Sequence, residues 1–139
     1  MLEEIWVRDC MTADVISCSF DTSLEEVVAE LKDRLFSCLV VAENNEPIGI
    51  ITERDLVSIF STLLGKADWS QLKVCDYMTK PARTLYEDLT LLEAVDQMRL
   101  DKIRHAPIVD QQNQLVGILT QSDIIRGFRR TFGELGQTT

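Results

Sequence analysis

Residues 49–55 read GIITERD, and residues 117–123 read GILTQSD. A glycine, two large aliphatic residues, a threonine and an aspartate hold the same slots in both phrases, 68 positions apart. The match spreads outward from there. With the chain slid by 67 residues, VRDCMT (7–12) falls on VCDYMT (74–79), FDTSLEEVVAEL (20–31) on EDLTLLEAVDQM (87–98), and FSCLVVAE (36–43) on IRHAPIVD (103–110). One extra residue in the following turn makes the offset 68. The chain is a tandem duplication, with copies at residues 1–66 and 67–139.

Each copy spells the same elements. A turn ending in Met-Thr leads to a short extended piece, at 15–17 or 82–85. Ser23 with Glu26, and Thr90 with Glu93, have capping-box spacing, so a helix starts at each. Leu24, Val27, Val28 and Leu31, and then Leu91, Leu92, Val95 and Met98, recur at helical intervals and give each helix one apolar face. Two apolar runs separated by a polar turn follow, 38–42 and 48–51 in the first copy, 106–109 and 115–119 in the second. Such pairs read as adjacent strands. A second helix is predicted at 52–64 and 120–132. The fold class is α+β, a mixed α/β arrangement of two β-α-β-β-α repeats. Neither repeat holds enough apolar material to cover its sheet alone. The repeats are therefore expected to pack through their sheets with pseudo-twofold symmetry, joined by GKADWSQLK (65–73).

Composition narrows the function. Hydrophobic residues at 45% and charged residues at 27% suit a folded domain rather than a disordered chain. No apolar stretch approaches the roughly 20 residues that span a bilayer, and MLEEIWVRDC lacks the apolar run of a signal peptide. A soluble, cytoplasmic protein is expected, without membrane partners. The net charge of −9 opposes nucleic-acid binding. It is unevenly spread: residues 1–67 hold 5 Lys+Arg against 13 Asp+Glu, and residues 68–139 hold 9 against 10. Cationic contacts to an anionic ligand should therefore come mainly from the second copy. Cys10, Cys18, Cys38 and Cys75 form no CxxC pair and His105 is the single histidine, so reduced thiols are expected and no metal site.

Two in-register copies of Met-Thr, amphipathic helix, LVV or PIVD strand and Gly-h-h-Thr-x-x-Asp resemble a CBS-domain pair (cystathionine β-synthase domains, or Bateman module) over about residues 5–132. That resemblance implies a regulatory, ligand-sensing module. It implies adenine nucleotides (AMP, ADP or ATP) bound in clefts between the repeats, no required cofactor, and signalling through conformation or a homodimer surface to a regulated protein.

The residues fit such a ligand. Asp55 or Asp123, in the first turn of its helix, can accept hydrogen bonds from ribose hydroxyls. Thr52 or Thr120 stands where exposed N–H groups and the helix dipole favour an anion. Thr-x-x-Asp is equally the spacing of a helix cap. Gly49 and Gly117, expected at strand starts, would let a ligand approach bare backbone. The resemblance joins the phrase of one repeat to strand elements of the other. The better-equipped set is then Thr52, Arg54 and Asp55 with Arg83, Thr84, Ile103, Arg104 and His105, where arginines and a histidine surround phosphate. The weaker set is Thr120, Ser122 and Asp123 with Ser17, Phe36, Ser37 and Cys38, which bring no positive charge. Alternatives are a dimerisation or protein-interaction scaffold without ligand, and a sensor of S-adenosylmethionine or another adenosyl compound. No catalytic residues are assigned: the chain has neither a nucleophile elbow nor a GK[ST] phosphate loop.

Overall fold

The apolar run at 38–42 forms strand β2 (Cys38–Glu43), whose first four residues are all buried. The next run forms β3 (Glu46–Thr52), in which buried and partly exposed residues alternate. The difference follows from position: β2 is the middle strand of a three-stranded sheet and β3 an edge. The extended piece before the first helix supplies β1 (Ser17–Cys18), parallel to β2 with Ser17 opposite Val40. β2 and β3 are antiparallel, Cys38 facing Thr52 at the open end. Asn44 and Asn45 turn the hairpin with φ of 52° and 62°, a conformation asparagine tolerates better than most residues.

The computed structural model describes residues 5–34, 37–63 and 66–137. They form two compact units, one from the described part of residues 16–83 and one from the described parts of residues 1–15 and 84–139. In the first unit, helices α2 (Leu24–Arg34) and α3 (Glu53–Leu63) accompany the sheet β1–β3. Leu24, Val27, Leu31, Leu39, Val41, Ile51, Ile59 and Val74 make the core. The second unit repeats the scheme with β4 (Leu85–Tyr86), α4 (Leu91–Asp101), β5 (His105–Val109), β6 (Leu115–Thr120) and α5 (Gln121–Gln137), preceded by the short helix α1 (Val7–Cys10). Its sheet has β4 parallel and β6 antiparallel to β5. Both repeats thus have the β-α-β-β-α order read from the sequence.

Two details differ from the periodicity. Val28 and Leu92, expected on the apolar helix faces, are 39% and 40% exposed, so the buried stripes are narrower. The last helix runs past residue 132 to Gln137.

The compact units do not follow the repeat boundaries. The Met-Thr segment of each repeat belongs to the unit of the other. Thr79 exchanges backbone hydrogen bonds of 2.9 and 3.0 Å with Ile50 on β3, and Thr12 exchanges two of 2.9 Å with Ile118 on β6. Residues 66–83 are therefore more than a tether. Leu24 N–H donates to Leu72 at 2.8 Å and Val74 N–H to Thr22 at 2.8 Å, while Trp69 and Leu72 pack on the first core.

The exchange explains the glycines. Both lie inside their strands rather than at the starts. A Cβ on Gly49 would overlap Met78 Sδ, and one on Gly117 would stand 2.7 Å from Met11 Sδ and 2.9 Å from the Thr12 carbonyl oxygen. The bare backbone expected to admit a ligand admits the methionine of Met-Thr. Glycine and Met-Thr recur together because they are two sides of one contact.

Candidate functional site

Each phrase is the end of a strand and the first turn of a helix. Threonine is the last strand residue and aspartate the third helical one, so side chain and backbone can satisfy each other across the junction. Thr52 N–H donates to Asp55 Oδ2 at 3.0 Å, and Asp55 N–H donates to Thr52 Oγ1 at 3.1 Å. Thr120 N–H donates to Asp123 Oδ2 at 2.9 Å, and Asp123 N–H to Thr120 Oγ1 at 3.3 Å. Both phrases are capping boxes with aspartate in place of glutamate. Thr90 and Glu93 form the glutamate version on α4, and Ser23 Oγ accepts from Glu26 N–H at 3.2 Å on α2.

The carboxylates then diverge. Among the described residues, Asp55 Oδ1 accepts no hydrogen bond, and the residue is half-buried beside exposed Glu53 and Arg54. Asp123 is 1% exposed. Its Oδ2 also receives the Thr120 hydroxyl at 3.1 Å, and its Oδ1 receives the Thr12 hydroxyl at 2.9 Å and the Arg126 guanidinium. Neither Thr12 nor Arg126 was picked out from the sequence. The i,i+3 spacing of Asp123 and Arg126 was a usable signal; nothing local pointed to Thr12.

The other candidates divide between the units. Ser17, Ser37, Cys38, Thr52, Arg54, Asp55 and Arg83 belong to the first; Thr84, Ile103, Arg104, His105, Thr120, Ser122 and Asp123 belong to the second. Phe36 lies outside the described residues. Within the first unit, Cys38 faces Thr52 in the strand register, and Glu53 N–H donates to the Ser37 carbonyl at 3.0 Å. Within the second, His105 faces Thr120 in the same register. Arg104 and Arg83 are exposed, Ile103 is half-buried against the second core, and Thr84 precedes β4. Both preferred sets take residues from the two units.

Cys38 carries no charge. Burial pushes the Cys38 thiol up to about 12, so it stays neutral and offers an anion nothing. Burial likewise raises Cys18 to about 11. All four cysteines are free thiols. Among the described residues no group of three or more His, Cys, Asp or Glu is placed to hold a metal ion, and no helix is long and apolar enough to cross a membrane.

Away from the phrase residues, α2, α3 and Trp69 of the first unit border a groove of about 590 Å³. Val28, Leu31, Val57 and Phe60 line it, and Val57 and Phe60 are 69% and 60% exposed.

A family profile for the CBS domain matches twice, over residues 7–62 and 74–130. The chain belongs to the CBS-domain family. Its two copies make it a tandem CBS pair. The pair is 36% identical over 126 residues to an uncharacterized protein of Methanopyrus kandleri, covering 90% of this chain and 63% of that protein. It is 34% identical over 114 residues to inosine-5'-monophosphate dehydrogenase of Methanocaldococcus jannaschii, covering 81% of this chain and 21% of the enzyme. It therefore spans less than two thirds of either relative. Among solved structures, CBSX2 in complex with AMP superposes with a TM-score of 0.77 at 24% identity, covering 91% of this chain and 98% of that one. The CBS domain pair of protein MJ0100, in complex with 5'-methylthioadenosine and S-adenosyl-L-methionine, has a TM-score of 0.77 at 23% identity, covering 91% and 97%. These likenesses establish the fold.

Proposed function

We propose that this CBS pair is a non-catalytic regulatory module that senses an adenine nucleotide of the AMP, ADP or ATP class. The observation that carries the reading is the Asp55 carboxylate. It is held in place by its cap through Oδ2 while Oδ1 accepts no hydrogen bond among the described residues. A ribose diol needs such a fixed acceptor with lone pairs to spare. Thr52 and Arg54 flank it, and Arg83 of the same unit is an exposed cation suited to phosphate. Thr84, Ile103, Arg104 and His105 are proposed as further contacts on the family resemblance. Two fold neighbours were solved with adenosine-containing ligands, AMP in one and 5'-methylthioadenosine and S-adenosylmethionine in the other.

Binding is proposed to bias a conformation or a surface shared with a second copy, and through it a regulated protein. Exposed Val57 and Phe60 supply apolar surface for a homodimer. A ligand-free scaffold would rest on that surface alone.

Isothermal titration with AMP, ADP, ATP and S-adenosylmethionine tests the reading. At least one should bind, and Asp55→Ala should weaken it at least about tenfold, the loss expected when hydrogen bonds to a charged group are removed. Silence from all four would leave the scaffold. S-adenosylmethionine alone binding would move the ligand class to sulfonium adenosyl compounds.

A further inference from the structure

A carboxylate oxygen offers about two lone-pair positions, so the whole group can accept roughly four strong hydrogen bonds. Asp123 uses that capacity. Oδ2 takes the Thr120 N–H at 2.9 Å and the Thr120 hydroxyl at 3.1 Å; Oδ1 takes the Thr12 hydroxyl at 2.9 Å and the Arg126 guanidinium. At 1% exposure, nothing is left to meet a sugar hydroxyl. Asp55 shares the two cap bonds made by backbone N–H groups but, among the described residues, receives none of the three hydroxyl and guanidinium donors. The residue in the place of Arg126 is Ser58, and Thr79, in the place of Thr12, gives Asp55 no hydrogen bond among the described residues.

We infer that Thr12 and Arg126 are the specificity-determining residues of the second phrase: they latch Asp123 shut. This CBS pair then takes one nucleotide per chain, at the first phrase. The carboxylate that could recognise ribose serves instead to fasten the Met-Thr segment to α5, across 111 residues of sequence. The stoichiometry rests on the function proposed above; the latch itself rests on geometry within one unit.

Two measurements on the full chain test it. Titration with AMP should give a stoichiometry near one. Replacing Thr12→Val and Arg126→Ser together, which removes both donors that reach Asp123 from outside the phrase, should raise it toward two. A wild-type value near two, or a folded double variant still at one, would overturn the latch as the cause of asymmetry. The second measurement uses no nucleotide. Thr12→Val should lower the melting temperature by roughly 3 °C or more, against almost no change for Thr79→Val. Asp123→Asn should lower it by several degrees more than Asp55→Asn. Equal shifts within either pair would refute the latch even if AMP binds. If none of AMP, ADP and ATP binds but the melting shifts differ as stated, the nucleotide reading fails and the latch stands.

Discussion

Asp55 and Asp123 sit at the same step of two copies of one motif, yet one carboxylate is half-open and the other is sealed in the core. Their caps are alike, so the helix start did not make the difference. What differs is the further donors: the Thr120 hydroxyl, and from beyond the motif Thr12 of the Met-Thr segment and Arg126 from the next turn of α5. A duplicated sequence supplies equal local geometry, and neighbours outside the motif decide which copy keeps its acceptor free. The strand facing each phrase widens the contrast, with a neutral buried thiol at Cys38 and an imidazole at His105 in the same register.

The contrast can be broken most forcefully at the glycines. Gly117→Ala should cost about 2–3 kcal/mol in urea unfolding and Gly49→Ala about 1 kcal/mol. A Cβ at 117 would press on the Thr12 carbonyl as well as on Met11, whereas the contacts nearest position 49 are all atoms of the flexible Met78 side chain. Equal losses would mean that the second unit yields as readily as the first.

A smaller effect should appear at alkaline pH. The Cys38 thiol is raised from an ordinary 9.0 to about 12 by burial, so the folded protein keeps a proton that the unfolded chain releases. Stability is then unaffected below pH 9 and falls as pH rises from 9 toward 12, by up to about 1.4 kcal/mol per pH unit. Cys38→Ala should flatten that fall. Chemical denaturation at pH 8 and pH 10 would show it.

The helix caps give the smallest effect. Thr90→Ala removes a complete capping box and should cost about 1 kcal/mol; Ser23→Ala should cost about half as much, read from melting curves. The reverse order would mean that the first unit leans on its cap more than its single cap bond indicates.

Much of this was legible in the chain itself, because the relevant forces act over a few residues. Leu24, Val27 and Leu31 announced α2 by spacing, Thr90 and Glu93 announced the start of α4, and the polar turns fixed both hairpins. The glycine phrases were correctly read as recurring strand-to-helix junctions. Their meaning was only half readable. Gly49 and Gly117 looked like openings for a ligand and proved to be seats for Met78 and Met11. The segment at 65–73 reads in the sequence as the connector, and its described part also brings Trp69 and Leu72 to the first core.

By itself, then, the sequence determined the duplication, the β-α-β-β-α order, the capped helices and the family, all of which follow from periodicity and short-range hydrogen bonding. Tertiary structure alone decided that each Met-Thr segment completes the unit of the other repeat, and that Asp123 is filled while Asp55 keeps an oxygen to spare among the described residues. The partners concerned, such as Thr12 and Asp123, lie 111 residues apart. No local pattern records which distant donor will reach a buried acceptor; that is settled only when packing brings the two together and removes the water that would otherwise satisfy both.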